Sequence, residues 1–275
     1  TQSIDNSEPT VDNWRMDSFF DWLNGRSNII IFTLSFALLM LGWQALVTLG
    51  GYPRFILPGP LDVWQQFVIV MKDGRLPKHT AVTFSEVIPG LLIGAAIALP
   101  MGYLLAKSPL AERIISPYLI ASQAIPIIAV APLLTIWIES TYWARVVVAV
   151  LVVFFPILIN VIAGLRSISA ESRAVMDALG ATPFQIFHKL ELPAAAPMML
   201  AGLKIGATLS VIGALVGEFV QPKSIGLGYL LVTARYQFKT DLLFVVLITL
   251  GLMAMGLYGL VSLLEMRLLR WKKAA

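Results

Sequence analysis

Side chains able to do acid–base, nucleophilic or metal chemistry are few in this sequence, and their spacing builds no reaction centre. Cysteine is absent and the histidines are two, His79 and His188. A disulfide scaffold, thiolate zinc sites and cysteine nucleophiles are thereby excluded. No serine–histidine, paired-aspartate or metal-ligand spacing falls within one apolar stretch, and there is no G-x-x-x-x-G-K-[ST] phosphate loop. The chain therefore receives no catalytic, metal or cofactor assignment, and nothing in it could itself bind nucleotide. Glu86, Glu139, Glu218 and Glu265 border apolar stretches. Glu218 is the one placed to meet an ion or substrate, and the competing reading is a helix-end carboxylate in water. Inside the stretches, Gln44, Ser122, Gln123, Asn160, Thr208 and Ser210 offer uncharged hydrogen-bonding groups, with no lysine or arginine deep among them.

Composition dictates the elements that position these groups. Of 275 residues, 58% are hydrophobic and 13% charged, and mean hydropathy is +0.81. Soluble domains carry about a quarter charged residues, so this is the composition of an integral membrane protein. Disorder is excluded by the same figures, and a net charge of +4 gives nucleic acid little to bind. At about 20 apolar residues per crossing, six spans are expected: 29–49, 87–106, the stretch between Arg113 and Glu139, 146–165, 197–220 and 242–264. The fold class is thus all-α and polytopic. Lys204, near the start of the fifth span, is expected to snorkel to the interface. An even number of spans puts both termini on one side. The basic bias, clearest at Arg267, Arg270, Lys272 and Lys273, makes that side the cytoplasm of a cell membrane.

The chain divides into a cytoplasmic tail (1–28), a transmembrane domain (29–265) and a basic tail (266–275). Met16, Phe19, Phe20 and Leu23 recur at helical spacing in a segment too polar for a cleavable signal peptide. They form an interfacial helix or belong to a mobile tail. After the first span, Leu57-Pro58-Gly59-Pro60 opens a second interfacial helix bearing Trp64, Phe67, Val68 and Met71, closed by Asp73-Gly74. Gly90, Gly94, Ala98 and Gly102 make a small-residue stripe in the second span, and Gly202, Gly206, Ser210 and Ala214 another in the fifth. Such stripes serve tight helix contacts or a dimer seam. Pro126 and Pro132 interrupt the third span, beside Ser122, Gln123 and Thr135. These features fit a helix facing a substrate route, or kinks of structural use alone.

The polar stretch 166–196 is too ordered for a linker. Ser169 is an N-cap, a first short helix runs from Ala170 to Leu179, and Gly180 ends it. Thr182-Pro183-Phe184-Gln185 then reads as a capping box with proline at the first helical position, opening a second helix that should end before Pro193. This helix–glycine–helix elbow is expected to display Phe184 and Phe187 as exposed aromatics, the mark of a partner surface. His188 belongs to the elbow surface.

Gly180, nine intervening residues and Leu190-Glu191-Leu192-Pro193 resemble the signature loop of binding-protein-dependent ABC importer permeases. That signature opens with Glu-Ala-Ala, where this chain has Ala174-Val175-Met176, so a bridge from that glutamate would need Glu171 or Asp177 instead. The resemblance covers 57–259 and is nearest the nitrate/taurine/sulfonate branch. It rests also on Leu57-Pro58-Gly59-Pro60, on Ala124-Ile125-Pro126 through Ala131-Pro132-Leu133, and on Phe154-Phe155-Pro156 with Asn160 and Gly164. Glu218 with Gly226-Leu227-Gly228 completes the set. The resemblance implies a type I importer fold with two permease subunits, here a homodimer. Two copies of an ABC ATPase would bind a coupling helix at Asp177, Ala178, Leu179, Gly180, Ala181, Thr182, Pro183, Phe184 and Phe187, and an extracytoplasmic binding protein would deliver the substrate. Ser122, Gln123, Pro126, Asn160, Ser210 and Glu218 are the residues expected along the path. With no deep cation for an anion, the cargo expected is a neutral heterocyclic nutrient such as a flavin or pyrimidine vitamin precursor. Sulfonate, taurine or nitrate import and an ion-coupled carrier are the alternatives.

Overall fold

A computed structural model describes residues 26–221 and 225–270. The amphipathic helix expected around Met16–Leu23, together with Lys272 and Lys273, lies outside the described residues. The described residues are helical without strands, in the order α1 (Arg26–Gly50), α2 (Pro60–Lys72), α3 (Arg75–Lys107), α4 (Pro109–Ala124), α5 (Ile127–Trp137) and α6 (Thr141–Arg166). There follow α7 (Ala170–Ala178), α8 (Pro183–Ile186), a π-helical turn Phe187–Glu191, α9 (Leu192–Phe219), α10 (Leu227–Tyr236) and α11 (Thr240–Leu268). Five helical runs are long and apolar enough to cross a bilayer, and α4 with α5 makes a sixth if that bent pair is one span.

The chain forms two compact units, Thr1–Asp62 and Val63–Ala275. In the first, α1 satisfies its polar side chains locally: the Thr33 and Thr48 hydroxyls donate to the carbonyls of Ile29 and Gln44. The Trp43 indole N–H donates to the Pro58 carbonyl at 3.1 Å. Pro60 opens α2 as expected, where its missing N–H costs nothing, and Asp62 in the first turn accepts the Gly59 N–H at 3.0 Å.

In the second unit, α6 lies between α3 and α9. The small-residue stripes explain the arrangement. A Cβ on Gly90 would stand 2.5 Å from Ala149 Cβ, one on Gly102 2.8 Å from Val161, one on Gly202 2.6 Å from Asn160, and one on Gly213 2.6 Å from the Ala149 Cα. Backbones this close gain dispersion contacts along their whole length, the main attraction left to helices when lipid is as apolar as they are. The stripes therefore serve contacts within this chain. Ala131 and Leu134 of α5 pack on Val148 of α6 and Val216 of α9.

Three expectations about the helices need correction, while the proline break expected in the third span is present. The second span starts at Arg75, well before residue 87, because the charge of Glu86 is matched inside the unit rather than in water. Within it, Pro89 leaves the Ser85 carbonyl without its helical donor, and the Tyr142 hydroxyl supplies one at 2.8 Å. The third span is not one rod: α4 and α5 meet at 96°. Pro126 forces Ile125 out of the helical region, to φ −81°, ψ 118°, and Pro126 itself is extended. The helix opened by Thr182 does not end before Pro193. A π turn carries it into α9, with the Leu192 N–H donating to Phe187 O, and Pro193 sits just past that junction. Lys204 does not snorkel to water but pairs with Glu265 of α11.

Candidate functional site

The elbow is built from local bonds that the sequence specifies directly. Ser169 Oγ accepts the Ser172 N–H at 3.2 Å and starts α7. The N–H of Glu171 itself and the Ser169 hydroxyl hold the Glu171 carboxyl below the usual range, as suits an acid at a helix N-terminus. At the other end Gly180 adopts φ +66°. Its N–H donates to Asp177 O at 2.9 Å and the Ala181 N–H donates to Met176 O at 3.0 Å, so two carbonyls orphaned by the helix end are satisfied. Thr182 Oγ1 accepts the Gln185 N–H at 3.3 Å while Gln185 Oε1 accepts the Thr182 N–H at 2.8 Å. The capping box expected from sequence is present.

Asp177, Ala178, Leu179, Gly180, Thr182 and Pro183 are all exposed and Ala181 is half-buried. Leu179 and Phe184 keep 76% and 74% of their surface open, an apolar tip at the corner of the elbow. The Phe184 ring stacks on His188, centroids 6.2 Å apart. Phe187 corrects the expectation of a second exposed aromatic. It turns inward, half-buried, edge-on to Tyr103 of α3 at 5.2 Å.

Behind the tip stands a carboxylate that sequence reasoning passed over. Glu191 is fully buried. Its Oε1 accepts from Arg173 Nη1 at 2.7 Å and from Lys107 Nζ, and its Oε2 accepts from the Tyr103 hydroxyl at 3.1 Å. Neither Glu171 nor Asp177 takes this place. The carboxylate tying α7 to α3 comes from within Leu190-Glu191-Leu192-Pro193 itself.

The opposite end of the same helices carries a second polar cluster. Arg145 of α6, 5% exposed, donates from Nη1 to Glu86 Oε1 at 2.7 Å and to Ile225 O at 3.2 Å, and from Nε to Gln221 Oε1 at 2.6 Å. Beside it the Thr83 hydroxyl donates to Glu218 Oε1 at 2.6 Å and accepts the Leu227 N–H at 2.8 Å. The Gly228 N–H donates to Glu218 Oε2, and the Gly226 N–H donates to His79 Nδ1 at 3.0 Å. At φ +155°, Gly226 leaves the Glu218 carboxylate space that a Cβ would fill. Glu218, 1% exposed, is therefore no helix-end carboxylate in water.

Among the described residues the expected path positions do not converge on one cavity. Ser122 and Gln123 are exposed beside the bend at Pro126, and the Ser122 hydroxyl donates to Leu119 O at 2.7 Å. The Asn160 amide donates to Pro156 O at 2.8 Å and faces Gly202. Ser210 is buried and donates to Ala207 O. No group of three or more histidine, cysteine or acidic residues among the described residues is arranged to hold a metal ion.

Helices with polar clusters at both ends and an exposed elbow match a known architecture over two thirds of the length: residues 90–270 fit the family described as binding-protein-dependent transport system inner membrane component. The chain belongs to that family. This ABC importer permease is 43% identical over 235 residues to the riboflavin transport system permease protein RibX of Chloroflexus aurantiacus, covering 86% of this chain and 87% of that one. It is 33% identical over 241 residues to the formylaminopyrimidine transport permease protein ThiX of Halalkalibacterium halodurans, with 88% and 95% covered. It is 29% identical over 232 residues to the putative aliphatic sulfonates transport permease protein SsuC of Bacillus subtilis, with 84% of each covered. The permease is a multi-pass membrane protein, as its apolar runs required. Its buried clusters had one signal in the sequence, charges lodged inside helical apolar runs, but the sequence alone pairs none of them.

Proposed function

We propose that this permease imports a neutral heterocyclic nutrient of the riboflavin class, delivered by a separate binding protein. In this reading a homodimer of the permease encloses the path, two cytosolic ABC ATPase subunits grip the elbow at Asp177–Phe184, and both tails, 1–28 and 266–275, lie in the cytoplasm with 29–265 in the membrane. Closing of the ATPase pair on ATP pushes the elbow and tilts the spans, and hydrolysis leaves the path open inward. Ser122, Gln123 and Pro126 at the α4–α5 bend are the residues this reading sets along the path, with Asn160 of α6 as a further, separate position. The observation that carries the cargo is the identity to RibX, a riboflavin permease by name, with ThiX, named for a pyrimidine compound, next in support. Charge agrees: Arg145 of α6 and Lys204 of α9 are paired with Glu86 and Glu265 and hold nothing out to an anionic cargo.

Vesicles carrying the permease with its ATPase and binding protein should take up radiolabelled riboflavin only with ATP, in competition with unlabelled flavin and not with taurine or nitrate. Because the chain has no cysteine, Phe184→Cys provides a single crosslinking site, expected to trap the ATPase. Sulfonate or nitrate uptake without flavin uptake would transfer the assignment to the sulfonate reading that SsuC represents, and ATP-independent movement by the lone chain would end the importer reading.

Gly180→Leu tests the elbow itself. A leucine in the left-handed region costs about 1–2 kcal/mol, too little to unfold the spans, and it would re-aim the chain between α7 and α8. ATP-driven uptake is expected to fall to background while the amount of permease in the membrane holds. Normal uptake by this variant would mean the corner geometry is immaterial.

A further inference from the structure

The coupling reading leaves open how a push on the exposed corner reaches α3, which the elbow does not continue into. We infer that Glu191 is the positioning residue that makes α7, α9 and α3 move as one at the elbow end, an inference that rests on the proposed docking of an ATPase there. Four observations converge on it. Glu191 is fully buried at the last position of the π turn, between the corner and α9. Its one carboxylate holds Arg173 on α7 and both Lys107 and Tyr103 on α3. A carboxylate held by two cations and a hydroxyl resists separation from any of them, since each loss leaves a buried charge less compensated. Lys107 and Tyr103 are themselves coupled, with Nζ 5.6 Å from the ring centroid, and the Tyr103 ring meets Phe187 edge-on. Finally, an apolar cavity of about 550 Å³ adjoins the cluster, lined by Leu99, Pro100, Tyr103, Val161, Phe187 and Met199. It gives these side chains room to shift while the carboxylate keeps its partners. Beyond this cluster α3 lies on α6 through Gly90, Gly94 and Gly102, so displacement of its elbow end is carried along the bundle. The π turn supplies the compliance, being a widened turn that can tighten or slide without breaking α9.

The test uses the reconstituted complex of permease, ATPase and binding protein, with ATP hydrolysis and substrate uptake measured on the same vesicles. Glu191→Gln keeps the volume and loses the charge. It is expected to lower substrate moved per ATP hydrolysed about tenfold, the size of one charge-assisted interaction, with ATPase binding and binding-protein-stimulated hydrolysis retained. Lys107→Met, which cuts one of the two links to α3 and leaves the Tyr103 hydroxyl in place, should give part of the same drop, and the double variant should be no worse than Glu191→Gln alone. Glu191→Asp should recover part of the ratio. If Glu191→Gln reduced only the amount or thermal stability of the complex, with uptake per ATP unchanged, Glu191 would be a packing residue and the inference would fall. An additive double variant would overturn it too. Failure of the docking reading is seen separately, as a wild-type chain that never binds the ATPase.

Discussion

Arg145→Leu is expected to remove most of the folded permease from the membrane. Arg145 is the cation facing two buried acids, Glu86 directly and Glu218 nearby through Thr83 and the 226–228 backbone. Glu86 already has one oxygen, Oε2, without a hydrogen-bond partner, and its ion pair runs through Oε1 to Arg145. Deleting one member of such a buried pair typically costs about 3–5 kcal/mol, against a margin of about 5–15 kcal/mol for a whole protein. The loss also removes the donor to Gln221 Oε1 and to the Ile225 carbonyl, which flank the connection between α9 and α10. Thermal unfolding of the detergent-solubilised permease, with its yield from membranes, is the measurement. The double variant Glu86→Leu with Arg145→Leu separates charge from shape: with both charges gone it should regain much of the lost stability. A single variant as stable as wild type would mean the pair is not isolated from water.

The second large effect is steric. Gly213→Leu is expected to force α9 off α6, because its Cβ alone would stand 2.6 Å from the Ala149 Cα, a backbone atom that cannot rotate away. Ala149 has no room to retreat, since Gly90 of α3 closes on its other side at a Cβ distance of 2.5 Å. Overpacking usually costs about 1–3 kcal/mol when neighbouring side chains can adjust. Here the obstacle is backbone, so the cost should reach or exceed the top of that range. Gly259→Leu is the control, at a position where an added Cβ would enter open space, meeting nothing within 4 Å beyond its own helix backbone. The unfolding midpoint should drop sharply for the first variant and stay near wild type for the second; equal midpoints would mean the helices are not in contact along this stripe.

How much could be read in advance follows from the reach of each interaction. The elbow was legible nearly bond by bond: the Ser169 cap, the left-handed Gly180 and the Thr182–Gln185 box all join residues at most five apart, so their partners lie in the same few letters. The glycine stripes were legible as surfaces of close approach, but what approaches them was not. Gly90 and Gly213 both meet Ala149, which no pattern within either span points to. The extent of α3 was misjudged for a related reason, since a charge inside an apolar run looks like a boundary until its partner is known.

The sequence by itself determined that this chain crosses a membrane, that it carries a capped helix–glycine–helix elbow, and which family it joins, because apolar length, local capping and motif spacing are properties of contiguous residues. Only the tertiary structure decided what its buried charges do. Glu86 and Arg145 are 59 positions apart, Lys107 and Glu191 84, and Thr83 and Glu218 135. Whether such a group faces water, cargo or a counter-ion depends on which helix ends the packing of α3 and α9 against α6 brings side by side. That packing is set by the whole bundle at once, so no stretch of sequence holds the answer.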